Sequence, residues 1–282
     1  MAAQTKESHA MICQTLDLSR SGFYAHRHKP RRPRAKEDAQ LKEMLRESFL
    51  LSRRTYGSPR LRAALQRQGR RCGKNRIARL MRELGLQARQ KRRFRPKTTE
   101  SNHKLPVAEN WLALFPSPDK PNQVWIADIT YIPTKEGWLY LSGILDACSR
   151  RCVGWHAGDA LSSSLVTKAW DKAWKDQRPG PGLLHHSDRG VQYASGAFAA
   201  QLRASGATAS MSGKANCYDN AMMESFWATL KTECFDNQIP QTKAQATLMI
   251  FDYIETFYNR QRLHSALHYQ SPLDFERTRS LN

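Results

Sequence analysis

The chain has 282 residues, long enough for about two domains, and its 45 Lys+Arg against 25 Asp+Glu give a formal net charge of +20. A hydrophobic content of 40%, with seven Trp, nine Tyr and ten Phe, supplies a sizeable core and excludes a disordered basic tail. No apolar run approaches the roughly 18 residues of a spanning helix, no signal peptide is visible, and six Cys without a Cys-x-x-Cys pair fit the reduced thiols of a cytoplasmic protein.

The charge is unevenly placed. Residues 1–104 hold 28 basic and 8 acidic side chains, whereas residues 105–282 hold 17 of each. An anionic polymer is the natural partner of such a basic half. Nucleic acid fits better than a membrane, because the charges fall on several short helices and not on one amphipathic one.

Residues 1–50 read as a helical region, with a break at Asp17–Ser19 and a second short helix capped by Ser19 or Ser21. Residues 51–87 carry a stronger pattern. SPRLRAALQRQG has Ser58 as N-cap, Pro59 at the first helical position, Leu61, Ala64 and Leu65 on one face, and Gly69 as terminator. GKNRIARLMRELG then places Ile77, Leu80, Met81 and Leu84 at helical spacing before Gly85. Two short helices joined by a tight turn predict a helix-turn-helix. A solvated bundle is the alternative, but Arg60, Arg62, Arg67, Arg70, Arg71, Lys74, Arg76, Arg79 and Arg82 face only Glu83, which favours DNA binding.

Residues 88–122 read as a basic linker able to lie along phosphates through Lys91, Arg92, Arg93, Arg95 and Lys97. Phe94 in that run either stacks on a base or anchors the linker to protein. NWLALF supplies an apolar plug before a Pro-rich stretch, and punctuation sets a boundary near Asn122.

Residues 123–282 change character. VWIADITYIPT, WLYLSGILDACSR and RCVGWHAGD predict three strands, with turns at Lys135–Gly137 and Ser149–Arg151. SSSLVTKAWDKAWKDQ follows as a helix burying Leu165, Ala169, Ala173 and Trp174, then GLLHHSD as a buried strand, SGAFAAQLRASG as a helix and TASMS as a strand. NAMMESFWATLKTECF is a helix capped by Asp219 or Asn220, and TKAQATLMIFDYIETFYNR a longer one. The prediction is an α/β domain, a mixed sheet flanked by helices, preceded by a small all-α helix-turn-helix region.

Carboxylates at strand ends are the place to look for chemistry. Asp128 lies in the first strand, Asp188 just beyond the fourth, and Glu224 in the first turns of a helix, with 35 residues between the last two. Spacing alone decides little, since at this Asp and Glu content roughly 0.5 such pairs arise by chance at any chosen separation. Context decides more: an ionised Asp128 among the apolar neighbours of VWIADITYI is costly without a compensating cation. Singly each acid is as well explained as a helix cap or ion pair; together, beside a DNA-binding half, they point to catalysis. Their oxygen donors suit two Mg²⁺ or Mn²⁺ ions about 4 Å apart.

Lys231, seven residues after Glu224 on the same helical face, can hold a DNA phosphate, although a surface lysine is nearly as common there. His185 and His186 are proton-carrier or zinc candidates, but strand alternation sends them to opposite faces and makes at least one structural. Asp146 rivals Glu224 as third ligand, Arg262 is a further DNA-contacting candidate, and Cys148 with Cys152 is a weak metal pair.

Five ordered strings, VWIADITYI, LDACSRRCVGW, HHSDRGVQYAS, NCYDNAMMESFWATLKTE and YNRQRLHSALHYQSP, together resemble the bacterial insertion-sequence transposases of the IS-three family, second-frame (OrfB) protein. The resemblance runs from about Tyr56 to Pro272. It implies a ribonuclease-H-like integrase core over residues 123–282 and a DDE triad at Asp128, Asp188 and Glu224, with an N-terminal helix-turn-helix over residues 51–87. It also implies a DNA transposase working with two Mg²⁺ ions on element ends and target DNA, as a homo-oligomer in the bacterial nucleoid, with an upstream-frame (OrfA) partner. Ala215 stands where a Gly is common and Cys148 where an aromatic is common; neither touches the triad. Two other functions share these features: a non-catalytic regulator that occupies the element ends, and a nuclease without strand transfer.

Overall fold

The computed structural model describes residues 9–17, 19, 21, 33–89, 106–114, 117–213, 220–236 and 238–280. The basic run Lys91, Arg92, Arg93, Arg95 and Lys97, Phe94, and Ala215 and Asp219 of the later loop lie outside them.

Helix α1 (His9–Thr15) ends at the break expected there, where Asp17 takes φ +50°. Helices α2 (Pro33–Leu51), α3 (Ser58–Arg67) and α4 (Lys74–Glu83) form one body. Leu41, Leu45 and Phe49 of α2 are buried with Leu61, Leu65, Ile77 and Leu80 of the other two, so α2 shares the core of the α3–α4 pair. Gly69 (φ +78°) and Gly85 (φ +66°) close α3 and α4 as expected. Gly57, not Ser58, occupies the N-cap of α3, which moves Pro59 to the second helical position.

The α/β region is built on a five-stranded mixed sheet, β1 (Val124–Thr134), β2 (Gly137–Asp146), β3 (Cys152–Gly158), β4 (Leu184–Ser187) and β5 (Thr208–Met211). Its order is β3-β2-β1-β4-β5, with β1–β2 and β2–β3 antiparallel and β1–β4 and β4–β5 parallel. On one face, Trp125, Ala127 and Ile144 pack on α5 (Ser163–Gln177) and α6 (Gly196–Ala204) through Val166, Ala169, Trp170 and Phe198. Trp170 takes the buried place that the helical pattern assigned to Trp174, which is half-buried. Gly154 is required here: a Cβ on it would stand 2.4 Å from the carbonyl of Ala169, so α5 approaches β3 backbone to backbone.

On the other face, Ile132, Leu139 and Leu141 pack on α7 (Ala221–Phe235) through Met223, Trp227 and Leu230. Helix α8 (Lys243–Phe251) starts at Thr242, whose hydroxyl accepts from Gln245 N at 3.0 Å. It runs into a π-helical turn, Asp252–Tyr258, in place of the single long helix expected, and α9 (Pro272–Ser280) follows. The apolar plug is only partly one: a 3-10 turn at Trp111–Ala113 leaves Trp111 44% and Leu114 78% exposed. Among the described residues no helix is long and apolar enough to cross a membrane.

Candidate active site

Strand pairing places the first two acids. β1 and β4 run parallel with Ile126 opposite His186, so two residues further along both strands Asp128 and Asp188 meet at the same end of the sheet. Asp188 Oδ1 accepts from Gly190 N at 2.9 Å, which fixes the turn after β4. Asp128 Oδ2 accepts from the indole Nε1 of Trp227 at 3.0 Å, and the Asn220 side chain also bonds its carboxyl. Burial, and then the neighbouring charge of Asp188, pushes the Asp128 carboxyl up to about 7.

Trp227 reaches Asp128 because the residue opposite on β2 has no side chain. Gly143 pairs with Asp128, and a Cβ on it would lie 2.6 Å from Trp227 Cη2. Asn220, at the N-cap of α7, makes no capping bond with its side chain and spends it on Asp128. Lys231 lies further along α7; burial lowers its ammonium pKa and the Asp128 charge opposes that shift. Sequence reasoning missed Gly143, Asn220 and Trp227. The only available signal was the three-residue step from Glu224 to Trp227, which puts both on one helical face.

Glu224 lies exposed in the first turn of α7, on the face that carries Trp227 and Lys231. Asp128 and Asp188 are brought together, whereas no set of three metal-ligating side chains forms among the described residues. Asp146 is removed as a rival ligand: fully buried, it accepts from the backbone N–H groups of Asn122 (2.6 Å), Cys148 (3.0 Å) and Ser149 (2.7 Å), so it caps the β2–β3 turn.

Both histidines are buried in the core. His185 sits edge-on to Trp170 and Phe198 and is pushed down to about 3 by burial and by His186. His186 is held between Ser210 Oγ (2.9 Å) and Ser212 Oγ (3.1 Å). The Cys152 thiol is buried and pushed up, as is Cys148 to a smaller extent, and neither belongs to a metal cluster among the described residues.

The candidate DNA contacts divide sharply. Arg62 and Lys74 are exposed. Arg76 is paired with Glu37 (3.1 Å) and Asp38 (2.6 Å), and Arg79 with Asp38 (2.7 Å) and Glu83. The recognition-type helix is thus less one-sided than its own sequence, because α2 brings acids to it. Arg60 is half-buried and donates through Nε to Leu263 O at 3.0 Å. Arg262 is a correction: it is 4% exposed and doubly bonded to Glu233 at 2.6 and 2.7 Å, a buried ion pair and not a surface contact.

An integrase core domain matches residues 118–217 and again 224–281, and an HTH-like domain matches residues 35–94. The insertion element IS600 uncharacterized 31 kDa protein of Shigella sonnei is 46% identical over 265 residues, 94% of this chain and 97% of that protein. The transposase for insertion sequence element IS904 of Lactococcus lactis is 40% identical over 85% of this chain and 94% of that protein. Transposase InsF for insertion sequence IS3A of Escherichia coli is 37% identical over 97% and 95%. Among solved structures, the simian T-cell lymphotropic virus intasome in complex with PP2A regulatory subunit B56 gamma aligns with TM-score 0.49 at 15% identity, covering 76% of this chain and 70% of that one. The HTLV-2 integrase catalytic core domain in complex with magnesium aligns with TM-score 0.43 at 13% identity, covering 56% and 97%.

An integrase core of ribonuclease-H-like topology, with two acids paired at the ends of adjacent parallel strands, is that of a polynucleotidyl transferase. The chain belongs to the IS-three family of insertion-sequence transposases, whose members it matches over nearly their full length.

Proposed function

We propose that the protein cleaves the ends of its insertion sequence and joins the freed 3′-hydroxyl to another DNA phosphodiester, with Asp128, Asp188 and Glu224 as catalytic metal ligands. The observation that carries this reading is the pairing of Asp128 with Asp188. Two carboxylates whose charges oppose each other, one of them pushed up to about 7, form an oxygen donor set that fits a hard divalent cation. When bound, two Mg²⁺ or Mn²⁺ ions supply Lewis-acid stabilisation and lower the pKa of the attacking water or hydroxyl.

The chain's own residues do the rest. Trp227 and Asn220 fix the orientation of Asp128. Lys231 meets a DNA phosphate beside it, and Glu224 completes the ligand set from α7. Arg62, Lys74 and the run Lys91, Arg92, Arg93 and Arg95 supply salt-sensitive affinity for the phosphate backbone of double-stranded DNA. The working form is a homo-oligomer on two element ends, acting in the cytoplasm on nucleoid DNA, with an upstream-frame protein as a further partner.

The test uses end-labelled element DNA, Mg²⁺ and separation of joined from merely cut strands. Wild type is expected to give both products and Asp188→Asn neither. Joined product from Asp188→Asn overturns the assignment. Cut strands without joined ones from wild type would identify a nuclease, and binding with neither product a regulator.

A further inference from the structure

Helix α7 has two functional faces. Glu224, Trp227 and Lys231 share the face beside Asp128, while Ser225, Thr229 and Thr232, at helical spacing on the opposite side, line a cavity of about 320 Å³. Arg60, Arg150 and Arg262 converge on its walls. One carboxylate answers two of them: Glu233 is doubly bonded to Arg262 and stands 3.8 Å from Arg60.

Arg150 is different. It sits in the β2–β3 turn at φ +61°, with its carbonyl accepting from Tyr258 Oη at 3.1 Å. Its guanidinium has no ion-pair or hydrogen-bond partner among the described residues, and it is half-buried. His264 lies on the same wall; burial and then the charges of Arg262, Arg60 and Arg150 hold its imidazole well below the ordinary value, so the ring is neutral and adds no charge to the cavity. The cavity therefore has a surplus of positive charge, a free guanidinium and two hydroxyls able to donate, those of Ser225 and Thr229, since Thr232 already donates to Ala228 O at 2.7 Å; this is the chemistry that recognises a phosphate oxygen.

We propose that this cavity seats a backbone phosphodiester of the same DNA strand whose reacting phosphate lies at Asp128 and Asp188, so that α7 is gripped by the DNA on both sides. The inference rests on the proposed function for the identity of its ligand. The dimensions agree: a helix with its side chains is about 10 Å across, and phosphates on one strand are spaced about 3.4 Å along the duplex axis. The second phosphate is thus about three nucleotides from the reacting one.

The experiment is equilibrium binding of the full chain to a fluorescent element-end duplex, without divalent metal, over a range of salt concentrations. Arg150→Gln is expected to bind about ten-fold more weakly, with the slope of log affinity against log salt reduced by about one. In wild type, a single neutral methylphosphonate about three nucleotides from the cleavage position gives the same loss, and it gives no further loss in Arg150→Gln. Unchanged affinity and slope in Arg150→Gln overturn the proposal. If that variant melts early, the methylphosphonate series on wild type decides alone, and equal affinity at every position overturns it. A wild-type chain that binds in this way but neither cuts nor joins refutes the proposed function and leaves the phosphate site standing.

Discussion

Asp128 is placed where a charge is unwelcome, and metal-free protein carries the consequence. Its folded pKa of about 7 lies above the unfolded value of 3.8, so between those values the unfolded chain has lost the proton and the folded one keeps it. The unfolded state then binds fewer protons, and stability falls as pH rises from about 4 to about 7, after which the penalty is complete. Asp128→Asn keeps an oxygen for Trp227 Nε1 and removes the charge. It is expected to stabilise metal-free protein at pH 8 by on the order of 2 kcal/mol, with the gain shrinking toward pH 4; thermal melts at the two pH values check it. An equal melting temperature for variant and wild type at pH 8 would mean that Asp128 is solvated like an ordinary carboxylate. Gly143 makes a second prediction. The Cβ of Gly143→Ala meets the buried Trp227 ring at 2.6 Å, and the ring cannot yield without moving α7. The variant should lose about 1–3 kcal/mol of stability and proportionately more polynucleotidyl-transferase activity, measured at a temperature where it is fully folded. The acids were legible in the sequence because charge in an apolar strand is conspicuous. Their supports were not, since a glycine and a tryptophan distant in the chain become partners only through β1–β2 register.

At the scale of elements, α7 is the hub. Its first turns face the paired acids, and its last carries Glu233, which is 7% exposed and accepts from Arg262 and from the Tyr253 hydroxyl at 2.9 Å. The C-terminal segment is thereby tied to the helix that positions Trp227. Removing one partner of a buried ion pair leaves the other charged and unanswered, typically at about 3–5 kcal/mol. Glu233→Gln is therefore expected to lower the urea midpoint strongly, whereas replacing Glu233 and Arg262 together by apolar residues of similar volume should recover much of the loss. Failure of the double variant to recover would show that the Tyr253 bond, not the ion pair, carries the effect. The strands and most helices were readable from periodicity, and the β1–β2 turn fell where expected. Arg262 was misread as a DNA contact because a basic residue in a polar string looks like a surface residue; only its Glu233 partner, 29 positions back, shows otherwise. The π-helical turn was equally hidden, since its apolar spacing continues that of α8.

The molecule as a whole qualifies the charge map. The net +20 does come from the first 104 residues, but Glu37 and Asp38 neutralise part of it on α4, and the basic half is not a detachable module. Leu45, Leu61 and Ile77 belong to the same apolar cluster as Tyr253 and Phe257. Polar bonds cross the same junction: Tyr56 Oη accepts from Leu263 N at 2.7 Å and donates to Gln261 O at 3.1 Å, and Arg53 bonds Thr256 Oγ1 at 2.7 Å. Separating residues 1–104 from the remainder would expose that cluster, so binding by isolated fragments would not divide the labour cleanly. Continuity of the core instead predicts one cooperative unfolding transition. The seven Trp all lie at position 111 or later, so their fluorescence reports the α/β region alone, while far-UV circular dichroism also reports α2 to α4. The two signals should coincide in urea. Tyr56→Phe, which strips a buried backbone N–H of its acceptor, should move both to lower urea together by about 1–3 kcal/mol. A dichroism change that precedes the fluorescence change, or a Tyr56→Phe shift confined to dichroism, would mean that the helix-turn-helix unfolds on its own and that the shared core is too thin to couple it to the catalytic sheet.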